Sequence, residues 1–191
     1  MLAKQSQRYT PQEYLLREAK AEYKSEYHRG EIVALAGASI NHNRIARNIT
    51  TALTNASEAG GCEAFSSDLR VWIKARDRYV YPDVAVTCGE IDFVEGRSDT
   101  ITNPKIIIEV LSESTESYDR GDKFRAYWAL DSLDEYVLVD QYRMRVEYFR
   151  QLNERDWFLR VFTKAEEALE LKSPGVEIAL EQIYRNVTWD E

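Results

Sequence analysis

The sequence predicts a mixed α/β (α+β) fold, in one domain spanning residues 1–191. Three observations carry this. Helix signals open the chain, with a Thr10-Pro11 start and a second apolar repeat after Ser39. Short apolar runs separated by polar turns fill the middle and the end. No internal repeat, low-complexity segment or linker divides the 191 residues, which are enough for a full core. A hydrophobic content of 44% against 30% charged residues points to a globular chain rather than a disordered one.

The elements follow in order. Thr10 suits an N-cap, Pro11 the first helical position and Glu13 the first turn, which predicts a helix over roughly Pro11 to Ala19. In KSEYHRGEIVALAG, Arg29-Gly30 separates two strand-like runs and predicts a hairpin. Ser39 caps a second helix whose apolar face is Ile45, Ile49 and Leu53, stopped by Gly60-Gly61. SDLRVWI and YVYPDVAV flank the polar turn KARDR and read as two paired strands. KIIIEVLS is continuously apolar at Ile106 to Ile108, as expected of a strand buried on both faces. A helix over roughly Tyr118 to Leu130 follows, with Phe124, Tyr127 and Trp128 as its inner stripe. EYVLVD, MRVEYF, DWFLRVF and ALEL read as a meander or hairpins. Ser173-Pro174-Gly175 reads as a turn, and Ala179 to Tyr184 as a last short helix.

The formal net charge of -8 argues against nucleic acid as a partner, because Lys and Arg dominate phosphate binding. It still leaves room for a local basic cleft or a metal-screened acidic site. Cys62 and Cys88 have no CxxC spacing and are expected to be reduced thiols. The polar start MLAKQSQRYTPQEY has no signal-peptide core, and no run is long enough to cross a bilayer. The expected location is cytoplasmic, with no membrane partner.

Two carboxylates stand out. Asp83 sits directly after Pro82 in an otherwise apolar strand. If that strand pairs antiparallel with SDLRVWI, parity puts Asp68 on the face of Asp83. Glu109 sits in IIIEVL with Ile107 and Leu111 on its face. Ionised and unpartnered there, it would cost several kcal/mol, so it needs a cation, a set of donors or a metal ion. Adjacent strands that point Asp83 and Glu109 at one place make an oxygen-rich pocket of the kind that holds Mg²⁺ with waters and phosphate oxygens. Lys105, on Glu109's face, and Lys123, paired i,i+4 with Tyr127, are the lysines that could serve it.

SEYHRGEIVALAGAS, the helix opening near NHNRIARNI, YPDVAV, IIIEVLSEST and DRGDKFRAYWALDSLDEYVLVD, in that order, resemble the Uma-two family of the PD-(D/E)XK nuclease superfamily. The likeness covers roughly Pro11 to Gln141. It implies a restriction-endonuclease-like core, a central mixed β-sheet flanked by helices, here with a C-terminal β-meander extension. It also implies cleavage of DNA or RNA phosphodiester bonds with Mg²⁺, or Mn²⁺ as a possible substitute, without carrying over the exact substrate; DNA is the expected one. Asp83 and Glu109 match the metal-binding acids. Leu111 stands where the usual lysine does, so Lys123 is the substitute, and the spacing from Lys123 to Tyr127 is similar to the QxxxY helix motif of related nucleases. Glu26 looks like the acid contributed from the N-terminal region.

Each assignment has a plainer alternative. Asp83 could cap a turn or pair with Arg70, Glu109 could pair with an arginine, and Lys123 could form a solvent-side bridge to Asp119. Glu26 could be an exposed hairpin acid. Asp68, Tyr127, Lys105 and His42 are second-tier residues, His42 reading first as a helix-start or core histidine. The leading expectation is a metal-dependent endonuclease acting as a homodimer. The rival is an inactive nuclease-fold protein serving as a processing accessory or scaffold. A small-molecule enzyme using the same acids is a third reading.

Overall fold

The computed structural model describes residues 7–57 and 61–189. Gly60 of the expected helix stop and the first residues of the polar N-terminal stretch lie outside the described residues.

Helix α1 (Pro11–Glu18) starts as the sequence predicts. The Thr10 hydroxyl accepts from the Glu13 N–H and the Glu13 carboxylate accepts from the Thr10 N–H, a complete capping box. Strands β1 (Ser25–His28) and β2 (Glu31–Ala34) form the expected hairpin, with Arg29 and Gly30 at positive φ in its turn. Helix α2 (Ile40–Ser57) is capped by Ser39, whose hydroxyl accepts from the His42 N–H.

The strands that follow depart from the expectation. YVYPDVAV is not one strand. It splits at Pro82-Asp83 into β5 (Arg78–Val80) and β6 (Val84–Cys88), which belong to different sheets. Proline has no N–H to give a ladder. The Tyr81 N–H goes instead to the Glu26 carboxylate, and the Asp83 N–H points toward that of Glu109. With β3 (Cys62–Ser66), β4 (Arg70–Ile73) and β7 (Thr100–Ile101), two sheets result. The smaller has five strands ordered β2-β1-β5-β4-β7.

The larger sheet is six-stranded, ordered β11-β10-β9-β8-β6-β3. Its centre is β8 (Ile106–Leu111), antiparallel to β6 and parallel to β9 (Glu135–Asp140). The chain extends it through β10 (Val146–Gln151) and β11 (Trp157–Phe162) as an antiparallel meander. ALEL does not prolong that meander. It forms β12 (Ala168–Leu171), which pairs with β13 (Val176–Ala179) in a separate hairpin ahead of the short helix α5 (Leu180–Ile183).

Strand alternation divides the core. Ile106, Ile108 and Val110 of β8 pack with Ile45, Ile49 and Leu53 of α2. Ile107 and Leu111 face the other way, against Phe124, Tyr127, Val71 and Val80. The helical segment on that side runs through α3 (Glu116–Tyr118), a π-helical turn (Asp119–Lys123) and α4 (Phe124–Tyr127). Phe124 and Tyr127 form its inner stripe, but Trp128 does not. It follows the helix end, is 48% exposed and stacks on Trp157 at the sheet margin.

Cys62 and Cys88 are joined in a disulfide, which corrects the expectation of free thiols. Their positions face each other in the β3–β6 register, so the pairing of the strands brings the sulfurs together. No described helix is long and apolar enough to cross a membrane.

A buried acid of purely structural use lies at the start of β9. Glu135 accepts from the Tyr148 hydroxyl (2.6 Å) and from the backbone N–H groups of Ser173 (2.8 Å) and Lys172 (3.0 Å), tying the turn of the β12–β13 hairpin to the large sheet. Hydrogen bonds to a charged group contribute about 1.5–3 kcal/mol each, so Glu135→Ala, which removes three, is expected to lower stability by about 4 kcal/mol or more. Urea unfolding would read this as a lower midpoint. An unchanged midpoint would deny Glu135 its tethering role.

Candidate active site

The split at Pro82-Asp83 places Asp83 at the head of β6. Val84 pairs with Ile108, so Asp83 stands opposite Glu109 of β8. The Asp83 Oδ2 accepts from the Val110 N–H (2.7 Å) and lies 3.2 Å from His42 Nε2. The Asp83 N–H points to Glu109 Oε2 at 3.4 Å. Two carboxylates from neighbouring strands are thereby fixed side by side, Glu109 by the Asp83 N–H and Asp83 by the N–H of Val110, the residue after Glu109.

Glu109 is 2% exposed, and Lys123 supplies its cation. The ammonium lies 2.8 Å from Glu109 Oε1, and the Tyr127 hydroxyl donates to that same oxygen at 3.0 Å. Lys123 and Tyr127 reach it together because they are four residues apart on one helix face. Lys123 is also 3.6 Å from both Glu26 Oε1 and Asp119 Oδ1. The bridge to Asp119 considered from sequence therefore exists, but both partners are buried, so it belongs to the cluster rather than to solvent. The π-helical turn that spans Asp119 to Lys123 aims both side chains inward, and such turns recur at functional sites.

Glu26, on β1, is buried and fully engaged. Its Oε1 takes the Tyr81 N–H (3.1 Å), and its Oε2 faces His28 Nε2 (3.0 Å) and the Tyr118 hydroxyl (3.3 Å). Tyr118 and His28 contact each other at 2.8 Å.

The electrostatics follow from too many acids for one ammonium. Burial, reinforced by Asp119 and Asp83, pushes the Glu109 carboxyl well above its usual range, against the pull of Lys123. Asp119 is raised by burial as well, with Asp83 and Glu26 adding to it. Burial alone would disfavour the Lys123 ammonium. Glu109 and then Glu26 outweigh it and hold the lysine charged far above its ordinary range. Glu26 is lowered, because Lys123, His28 and the Tyr81 N–H together overcome its burial. His42 is raised, its bond to Asp83 overcoming desolvation.

Glu26, Asp83, Glu109, Lys123 and Tyr127 are therefore brought together, with His42 behind Asp83. Asp68 and Lys105 are not. Asp68 precedes β4, is 84% exposed on its side chain and pairs with Lys24. The parity argument that placed it beside Asp83 fails because β4 pairs with β5, whereas Asp83 leads into the other sheet. Lys105 stands at the opposite end of β8 and pairs with Asp134. Arg70 pairs with Asp99, not Asp83. Tyr118 and His28 escape the sequence reading, and Asp119 enters it only as a solvent-side partner of Lys123. The signal for Asp119 was its position four residues before Lys123, and for His28 its position two residues after Glu26 on one strand face.

Among the described residues no group of three or more His, Cys, Asp or Glu side chains forms a ready-made metal cage. The donors nevertheless fit a hard divalent cation. They are carboxylate oxygens, they outnumber the cations near them, and Mg²⁺ is ordinarily held by only one or two carboxylates with waters and phosphate completing its shell.

The model of the Uma2 family, described as "Putative restriction endonuclease", matches residues 11–181. Two Synechocystis sp. proteins are similar along most of their length. Uncharacterized protein sll1609 is 42% identical over 78% of this chain and 85% of its own. Uncharacterized protein slr1290 is 38% identical over 94% and 93%. The crystal structure of a putative nuclease belonging to DUF820 from Anabaena variabilis has the same fold, with a TM-score of 0.75 at 18% identity over 92% of this chain and 97% of that one.

Removing the ammonium should expose the cost of the surplus acids. Breaking a buried ion pair from one side costs about 3–5 kcal/mol, and Lys123→Met is expected to lose stability in that range at neutral pH. Glu109 and Asp119 have raised folded pKa values, so the penalty is absent below their unfolded values and grows as pH rises through the window above them. The loss should therefore shrink as pH falls toward about 4. Urea titrations at several pH values would show it, and a loss independent of pH would contradict the charge argument.

Proposed function

The chain belongs to the Uma2 family ("Putative restriction endonuclease"), and on that premise we propose that it is a divalent-metal-dependent endonuclease hydrolysing phosphodiester bonds, with DNA as the favoured substrate. The observation that carries this is the meeting of Asp83, Glu109 and Lys123 despite Leu111 at the usual lysine position. What supports activity over an inert relative is that the ammonium is buried against Glu109, the neighbour of Asp83, with Glu26 and Asp119 around it.

Asp83 and Glu109 are the residues that would hold the metal, with Asp119 beside them. Mg²⁺, or Mn²⁺ in its place, would supply electrophilic activation of the phosphate and screening of its developing charge. Lys123 stays protonated, so it serves as a donor that orients the attacking water and not as a base. Asp119 has a raised affinity for a proton and suits its acceptance from that water. As the new O–P bond forms, the bond from phosphorus to the leaving sugar oxygen breaks, and that oxygen takes a proton from solvent. Glu26 has both oxygens committed to protein donors, so its part is to position Lys123 rather than to meet substrate. Tyr127 fixes the Glu109 oxygen from the far side, and His42 fixes Asp83. A homodimer is part of this reading, since two sites are needed to cut both strands of a duplex.

Plasmid nicking with Mg²⁺ or Mn²⁺ tests it. Asp83→Ala and Glu109→Ala should each abolish cleavage, and Lys123→Met should reduce kcat by roughly 100-fold or more, as removal of a single electrostatic donor does. Cleavage that persists undiminished in both acid variants would sink the site. Metal affinity should rise with pH, because binding has to displace the proton that burial favours on Glu109. Calorimetric titration of Mg²⁺ at two pH values would check that sign.

A further inference from the structure

Beside the acidic cluster the surface changes sign. The β1–β2 turn is locked onto the β4–β5 turn, because the Arg29 N–H donates to the Asp77 carbonyl (2.9 Å) and Arg29 Nε to that of Arg76 (3.4 Å). Arg78 pairs with His28 across β1 and β5, and its Nη1 donates to the Asp122 carbonyl at 3.3 Å. Arg125 reaches the Asp122 carboxylate from the helix at 2.7 Å. Arg8 packs against Gly30 so closely that a Cβ there would stand 3.2 Å from the Arg8 Cβ. Lys74 begins the helical turn after β4. Six cations from four stretches of chain thus share one corner. The Asp122 carboxyl registers the gathering, being lowered by Arg125 first and also by Arg78 and Arg29.

Three acids lie among them, Glu31, Asp77 and Asp122, and two are engaged. Asp77 accepts from the Tyr27 hydroxyl and Asp122 from Arg125. In a chain of net charge -8, six cations to three acids is a local reversal. Arg8, Lys74 and Arg76 are exposed and form no side-chain ion pair among the described residues, while Arg29 and Arg125 are exposed beside their bonds to Arg76 and Asp122. Exposed cations gathered in this way attract a polyanion.

We propose that this corner seats the phosphodiester backbone of a nucleic-acid strand next to the catalytic cluster. The proposal rests on the nuclease reading and adds where the strand lies. His28 joins the two regions. It neighbours Arg29, pairs with Arg78 and contacts Glu26 and Tyr118, which border Lys123. Phosphates along the corner neutralise the exposed arginines. The backbone contacts set position and carry no base sequence.

The test is fluorescence anisotropy of labelled duplex DNA, and separately of single-stranded RNA, with the full chain in EDTA over a series of salt concentrations. Arg29→Ala/Arg76→Ala should weaken binding and flatten the dependence of log K on log salt. The slope should fall by about 0.9 for each duplex phosphate no longer neutralised, or by about 0.7 on a single strand. Arg78→Ala should do the same. Arg29→Lys/Arg76→Lys should recover most of the slope, and Arg155→Ala, in the distant β10–β11 turn, should change nothing. Thermal melts by circular dichroism confirm that each variant is folded. Alanine variants that bind with the native affinity and slope would overturn the proposal while leaving cleavage by Asp83 and Glu109 intact. A native chain that binds neither DNA nor RNA would overturn it together with the choice of substrate.

Discussion

The contact between the Lys123 ammonium and the Glu109 carboxylate organises this protein. Glu109 lies within a strand buried along its whole length, and Lys123 is 5% exposed, so neither charge is stable alone. Their meeting requires that β8, the π-helical turn and β1 come together, because Glu26 and Asp119 complete the ring of oxygens round the ammonium. Three carboxylates contact one lysine, and Asp83 adds a fourth acid nearby. A stability argument would favour an apolar core at this spot. The retained surplus of negative charge is better explained by what it can bind than by what it holds together.

The second constraint is the handover at Pro82-Asp83. A strand continuing through this point would keep the chain in one sheet and leave Glu26 and Glu109 in separate places. Proline breaks the ladder, the freed Tyr81 N–H binds Glu26, and the freed Asp83 N–H turns to Glu109. The backbone irregularity therefore creates the juncture of the two sheets and supplies donors to two of the acids. Packing is continuous on both sides of it. Val80 belongs to the cluster beneath α4, whereas Val84 belongs to the cluster beneath α2.

Much of this was legible in the chain, and the failures have physical causes. Glu109 was legible because a charge inside IIIEVL has no surface to reach. Asp83 was legible as an odd charge, but its partner was misjudged. Parity along a strand assumes an unbroken strand, and Asp68 was placed beside Asp83 on that assumption. Lys123 became visible through the family resemblance and its spacing to Tyr127. Asp119 did not, because an i,i+4 acid–lysine pair usually marks a solvated helix face, and nothing in DRGDK signals a π turn. His28 and Tyr118 are separated by ninety positions in the numbering, and only the packing of α3 on β1 shows their contact. The disulfide was missed for a related reason, since Cys62 and Cys88 become neighbours only through the β3–β6 register.

The acidic balance of the chain argues against a nucleic-acid partner, but a whole-chain average says nothing of how the charges are distributed. Charge acts over about a Debye length, roughly 8–10 Å at physiological ionic strength, so the field at a site depends on its immediate surroundings. The carboxylates of the cluster are desolvated and close to one another, which is the environment a divalent cation neutralises. The arginines of the two turns are mostly exposed and adjoin His28, and none of them pairs with a carboxylate of the cluster among the described residues. Separating the two signs in this way lets one small region attract a cation and a polyanion at the same time. If the charges were mixed, each arginine would pair with a cluster acid and neither ligand would be drawn. The fold keeps them apart by committing Glu26 to Lys123, His28 and the Tyr81 N–H, so the acid nearest the basic corner is already satisfied from within.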